Sequence, residues 1–290
     1  MTQLVTAPSI RARKGSGEPL VMVTAYDAPG ARIADAAGVD MILVGDSLAM
    51  VVLGYDDTLS VTVDDMAHHV AAVSRSGPGA MVIADLPWLS YHVSVEDTVR
   101  NAARLVRCGA QAVKLEGGQK RLPMMEAILD AEIPVMGHLG LTPQSVHTMG
   151  GFKVQGKQAA AAASLIEDAQ ALAEAGCFSI VLEGVPDTVA RLVTEAVSVP
   201  TIGIGAGPWC DGQVLVFHDV LGLEDRVLPK FVRPYASLKA DAVAALARFA
   251  ADVRAGRFPS DDESYHLSEE VSRQLVGEQE LVVGLYGHGR

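Results

Sequence analysis

Positive charge is the first thing this chain is short of. Lys and Arg number 23 against 35 Asp and Glu, a formal net charge of −12. That balance argues against nucleic acid or an anionic membrane surface as partner. Aromatics make up only 5% of the residues while 49% are apolar, so the core must be aliphatic. Mean hydropathy is positive, yet no unbroken apolar run approaches the roughly 18 to 20 residues that a membrane span requires. The three cysteines, Cys108, Cys177 and Cys210, form no CxxC pair and read as reduced thiols rather than a disulfide framework or a metal site. Met1 to Lys14 has neither an apolar h-region nor a small-residue cleavage site, so a cytoplasmic location is expected.

What the chain does have is alternation. Short strand-like runs at Leu20–Thr24, Met41–Val44, Met81–Ala84, Ala112–Leu115, Pro134–Gly137, Phe178–Leu182 and Thr201–Ile204 are mostly separated by helical segments, with an eighth, weaker run at Arg226–Val232. Such spacing predicts parallel pairing through right-handed crossovers. An open doubly wound sheet also fits the alternation, but eight strands in one continuous period favour a closed (β/α)8 (TIM) barrel. The length of 290 residues suits one such barrel of roughly 250 residues. Thr62 to Asp65 and Ser94 to Asp97 read as capping boxes, and Pro186 and Asp187 open a further helix. Gln158 to Ala175 reads as a helix packed through Leu165, Ala169 and Leu172. Gly38, Gly109 and Gly176 each stand where a helix should end before a strand. We expect a single barrel domain over residues 1–265, and a C-terminal helical extension at 266–290 to which the sequence assigns no role.

Acids stand where these runs end. Asp46, Asp85, Glu116 and Glu183 each follow an apolar stretch, and in a parallel barrel all strand C-termini open into one mouth. Taken singly, Asp46 could be an Asx turn and Asp85 a cap. Lys114 and Glu116, two apart, share a strand face, which suits either a layered ion pair or a charged ligand. Together, the first three suggest a metal site with one carboxylate left over as a base. Oxygen donors without paired His or Cys favour Mg2+ over zinc. His138, after the fifth strand, also belongs at that mouth. Gly203, Gly205 and Gly207 follow the seventh strand and superficially suggest a dinucleotide loop, with Glu224 about 20 residues on. Pro208 interrupts the helix that such a loop would need. A phosphate cradle, or close approach of a flat ligand, fits as well.

At these positions the chain resembles the ketopantoate hydroxymethyltransferase family of the phosphoenolpyruvate/pyruvate barrel superfamily. The matching stretches run in order: Thr24-Ala-Tyr-Asp27, Val44-Gly-Asp-Ser-Leu48, Ala84-Asp-Leu-Pro87, Val113-Lys-Leu-Glu-Gly-Gly118, Gly137-His-Leu-Gly-Leu-Thr-Pro-Gln-Ser145, Lys153-Val-Gln-Gly156, Ile202-Gly-Ile-Gly-Ala-Gly207, Asp211-Gly-Gln213 and Pro229-Lys-Phe231. The resemblance implies one Mg2+ per subunit held through Asp46, Asp85 and Glu116. It implies a 2-oxo acid contacted by Asp46, Ser47, Asp85, Lys114 and His138, with Glu183 as general base. Gly205 and Gly207 fall on the folate side. The implied reaction carries a one-carbon unit from 5,10-methylenetetrahydrofolate, a co-substrate, to 3-methyl-2-oxobutanoate, in a homo-oligomer that in many members is a decamer. The stretch Met149 to Gly156 is a candidate lid.

The chain also departs from the family pattern. Gly184 stands where many members carry Cys, Ala49 replaces a common Gly, Trp88 a common Phe, and Trp209 adds bulk after the seventh strand. The two tryptophans leave room for a paralogue acting on another 2-oxo acid. A lyase or phosphonomutase of the same superfamily would be expected to place a catalytic Cys in the barrel, which Gly137-His138-Leu139 lacks. A non-catalytic binding barrel would be expected to have lost one of the acids.

Overall fold

The computed structural model describes residues 4–279. Eight strands close into a parallel barrel in sequence order: β1 (Leu20–Thr24), β2 (Met41–Val44), β3 (Met81–Asp85), β4 (Ala112–Glu116), β5 (Val135–Gly140), β6 (Ser179–Glu183), β7 (Thr201–Ile204) and β8 (Gly212–Leu215). Pairing of β1 with β8, Leu20 opposite Gly212, makes the closure. The barrel is closed, as the strand count predicts.

The eighth strand is not where the sequence suggested. Residues 226–232 carry no strand, and Gly212–Leu215 takes the place expected for them. Helix-spaced crossovers were the guide, but β7 and β8 are joined by residues 205–211 with no helix between. Gly212 also reads as a loop residue. A Cβ there would sit 2.5 Å from the Leu20 carbonyl oxygen, so the close β1–β8 approach demands glycine.

The helix starts largely follow their sequence signals. Thr62 caps Val63–Ser74 reciprocally with Asp65. Ser94 accepts from the Asp97 amide, but the Asp97 carboxylate takes the Ser94 hydroxyl and not its backbone N–H, so that box is half made. Gly38, Gly109 and Gly176 all adopt positive φ just past helix ends. Ala159–Ala175 buries Ala169 and Leu172.

Two apolar clusters hold the barrel. One lies between strands and helices. The other fills the interior with Leu20, Met22, Met41, Met81, Ile83, Met136, Phe178, Ile202 and Val214. Unbranched methionines adapt to the irregular space inside a barrel. Ala7 and Ile10 join this interior cluster from a short helix, Ala7–Arg11, which Thr6 and Ser9 cap reciprocally. Lys14 then bonds Asp211 and the Thr194 carbonyl, at 2.9 and 2.7 Å. The N-terminal lead-in is therefore a packed part of the barrel's strand-start end.

The chain divides into two compact units, Met1–Ser237 and Leu238–Arg290. The second contains helices Leu238–Arg254 and Glu269–Gln279, and within the extension read from sequence, residues 280–290 lie outside the described ones. Among the described residues no helix is long and apolar enough to cross a membrane.

Candidate active site

Strand register brings the acids together. Asp85, the last residue of β3, stands beside Lys114 of β4, and Glu116 beside His138 of β5. Side chains at alternate strand positions share a face, so Lys114 and Glu116 both point inward. The Lys114 Nζ lies 2.8 Å from Asp85 Oδ1 and 3.1 Å from His138 Nδ1. His138 Nδ1 is 3.5 Å from Glu116 Oε1, and its Nε2 is 3.3 Å from Glu183 Oε2 at the end of β6. Asp46 follows β2, and its backbone N–H donates to Asp85 Oδ2 at 3.0 Å. Gly45 permits this turn: a Cβ there would meet Ser47 Oγ at 2.8 Å.

Asp46, Asp85, Lys114, Glu116 and His138 are all buried, while Glu183 keeps 17% of its side chain exposed. All six, with Ser47 and Gly205, line one cavity of about 530 Å3. Leu43, Val181, Ile204 and Val214 give it an apolar wall, and Phe152, Lys153 and Val154 line it from the stretch predicted as a lid. Gly207 does not line the cavity. Its positive φ and its close packing on Asp187 Cβ, 2.5 Å from where a Cβ would be, serve the loop itself. Trp88 and Trp209 are both partly exposed and stand outside the cavity wall. Gly184 is in it.

Charge inside the cavity is unbalanced. Burial, followed by the charges of Asp85 and Glu116, pushes the Asp46 carboxyl well above the usual range. Burial works against protonated Lys114, but Asp85, Glu116 and Asp46 outweigh it and hold the ammonium charged. Burial and Lys114 likewise oppose protonation of His138, yet hydrogen bonding to Glu116 and Glu183 prevails and raises it to about 9. Asp46, Asp85, Glu116 and Glu183 thus gather around the Lys114 ammonium and the His138 ring, while Lys153 and the Arg226–Asp219 ion pair stand elsewhere in the cavity lining. Among the described residues, no three His, Cys, Asp or Glu side chains converge tightly enough to hold a metal ion unaided. The all-oxygen donors and the charge deficit nevertheless suit a hard divalent cation completing its shell with water and substrate, the usual habit of Mg2+.

The sequence assigned no role to two neutral residues here, although Gln144 lies within the matching stretch Gly137 to Ser145. Gln144, in a 3-10 turn after β5, and Tyr91, in the loop after β3, bond to one another and to the acids. Tyr26 was quoted only within a motif, and its hydroxyl lies 2.9 Å from Ser47 Oγ.

A closed parallel barrel with buried acids, a lysine and a histidine at its strand C-termini is the plan of a (β/α)8 enzyme. Solved structures share that fold: a phosphoenolpyruvate phosphomutase from Streptomyces platensis subsp. rosaceus (TM-score 0.59, 16% identity, 96% of this chain and 98% of that one), and a phosphonopyruvate hydrolase in complex with oxalate and Mg2+ (TM-score 0.58, 15% identity, 97% and 98%). The model of the ketopantoate hydroxymethyltransferase family matches residues 4–261, and the chain belongs to that family, whose members are transferases. It is 58% identical to the 3-methyl-2-oxobutanoate hydroxymethyltransferase of Moorella thermoacetica, over 90% of this chain and 97% of that one. The enzyme of the same name from Syntrophobacter fumaroxidans is 57% identical over 96% and 98%.

Proposed function

We propose that this chain transfers a hydroxymethyl group from 5,10-methylenetetrahydrofolate to 3-methyl-2-oxobutanoate, giving 2-dehydropantoate and tetrahydrofolate with uptake of one water. The observation that carries this reading is Lys114. A buried ammonium at 2.8 Å from Asp85, with His138 beside it, is a built-in cation among the acids at the strand ends of the cavity. 3-Methyl-2-oxobutanoate brings a carboxylate and a keto oxygen to meet it and a branched alkyl end for the apolar wall.

Asp46, Asp85 and Glu116 would hold Mg2+. When bound, the ion supplies Lewis-acid polarisation of the substrate's keto and carboxylate oxygens. Lys114 adds a fixed positive charge where the deprotonated substrate accumulates negative charge, an electrostatic contribution that needs no reorganisation during reaction. Glu183, the one acid with solvent-side exposure, takes the proton from C3. His138 Nε2 lies beside it, 3.3 Å from Glu183 Oε2, and forms an ion pair with it when the ring is protonated. The resulting carbanion carbon attacks the folate-borne methylene as its first C–N bond opens, and water then displaces the second folate nitrogen and supplies the hydroxyl oxygen; the two nitrogens take up the proton removed from C3 and one from water. Access from the Phe152–Val154 side would close the cavity during this exchange.

Incubation with Mg2+ and 3-methyl-2-oxobutanoate in D2O, without folate, tests the base directly. The wild-type chain should exchange the C3 proton. Glu183→Gln should slow the exchange by about 10²- to 10⁴-fold, the usual contribution of a positioned general base. Undiminished exchange in Glu183→Gln would remove Glu183 from the role. A panel of branched 2-oxo acids with methylenetetrahydrofolate tests the substrate, and a clear preference for a different acid would overturn that part alone.

A further inference from the structure

Gln144 has no slack. The residue is buried, at 6% exposure, and both side-chain polar atoms and the backbone N–H are engaged. The Nε2 donates to Asp46 Oδ2 at 2.8 Å and to the Leu86 carbonyl at 2.9 Å. Its Oε1 accepts from the Tyr91 hydroxyl at 2.6 Å, and its backbone N–H donates to Glu116 Oε2 at 3.1 Å. The Tyr91 oxygen in turn accepts from the Glu116 backbone N–H at 3.2 Å.

The chemistry of the partners fixes the direction of every bond. Leu86 offers a carbonyl and Asp46 a carboxylate, both acceptors, so the amide nitrogen must face them. The amide oxygen must then take the one proton Tyr91 can give, which leaves the phenol oxygen to accept from Glu116. A single polarised chain runs from the Glu116 amide through Tyr91 and Gln144 to the Asp46 carboxylate. Bonds in such chains strengthen one another. Pro143, which lacks an N–H, precedes Gln144 at the start of the 3-10 turn, where the Gln144 amide has no helical acceptor and is free for Glu116. One residue after β5 therefore orients acids that follow β2 and end β4.

We propose that Gln144, aligned by Tyr91, is the positioning residue that holds Asp46 and Glu116 in the orientation that receives the divalent cation. The role rests on the Mg2+ reading above, since it concerns how the acids are presented to that ion. Neither Gln144 nor Tyr91 touches the reacting atoms. Tyr91 and Gln144 do not line the cavity, so they act through the carboxylates alone. Loss of the Gln144 side-chain amide, or of the Tyr91 hydroxyl that orients it, would leave Asp46 Oδ2 without that donor, while Glu116 Oε2 keeps the Gln144 backbone N–H.

The experiment is a calorimetric titration of MgCl2 into the full chain in the presence of 3-methyl-2-oxobutanoate, run on wild type, Gln144→Met, Tyr91→Phe and the double variant, with thermal unfolding of each. Methionine keeps the length and packing of glutamine without its donors. Each single variant should weaken Mg2+ binding by about 10- to 100-fold, as loss of outer-sphere support does in metal sites. The double variant should be little worse than the worse single one, because both break one chain. A purely packing role would lower the unfolding temperature and leave the Mg2+ affinity of the folded protein within about twofold of wild type, which overturns the proposal while wild-type binding keeps the metal reading intact. Additive losses would also overturn it, by showing that the two residues act separately. If the wild-type chain binds no Mg2+, the metal reading falls and this role falls with it.

Discussion

Removing the Lys114 charge is the sharpest perturbation the site offers. Lys114 and Asp85 are each only 4% exposed at the side chain, with 2.8 Å between Nζ and Oδ1. At an effective dielectric constant of 20, that separation corresponds to about 6 kcal/mol of Coulomb attraction. Most of this offsets the cost of taking both charges out of water, so the intact pair contributes little net stability. The asymmetry appears when one partner goes. Lys114→Met leaves Asp85 buried beside Asp46 and Glu116 with no ammonium, which should destabilise the chain by about 3–5 kcal/mol. At about 2 °C per kcal/mol for a protein near this size, the unfolding midpoint should fall by about 6–10 °C.

The double variant Lys114→Met, Asp85→Asn separates charge from shape. It removes one positive and one negative charge together, so most of the lost stability should return, while activity stays abolished. Differential scanning calorimetry of wild type, both single variants and the double gives the coupling free energy, expected at about 2–4 kcal/mol. A Lys114→Met chain as stable as wild type would refute the argument that the cavity is short of positive charge. So would a double variant no more stable than the single, since the loss would then come from packing.

Two further outcomes follow from single positions. Gly140 sits at φ +94, and a Cβ there would lie 2.3 Å from the Glu183 carbonyl oxygen, so Gly140→Ala should displace the end of β6 and cost about 2–4 kcal/mol in denaturant unfolding; a loss below about 0.5 kcal/mol would contradict the close approach. His92 is held at a pKa of about 4 by burial, then by Arg121 and Lys120. It is neutral in both states above pH 6.5, but between 6.5 and 4 the unfolded chain binds a proton that the native one does not, so stability falls as pH falls through that window. Because His92 is only half-buried, the effect is about 1–2 kcal/mol, and His92→Gln should flatten the stability profile there without changing it above pH 7.

The charged part of the site was legible in the sequence, and the neutral part was not. A carboxylate at the end of an apolar run stands out because burying it is costly, and strand ends in a barrel converge whatever lies between them. Asp46, Asp85, Glu116, Glu183 and Lys114 could therefore be gathered from spacing alone, and His138 from its place just past the run Pro134–Gly137, which in the structure continues through it as β5. An amide and a phenol give no such signal. Tyr91 and Gln144 are 53 positions apart in the chain, and each is unremarkable until the loops after β3 and β5 meet. The same limit explains β8: glycine at 212 reads as a break, and only the Leu20 backbone across the closure makes it a requirement. Charge marks where chemistry can occur, whereas the orientation of that charge depends on contacts made by loop closure. A reading that stops at the acids would place a metal among them without saying what stops Asp46, whose carboxyl accepts from Gln144, from turning away.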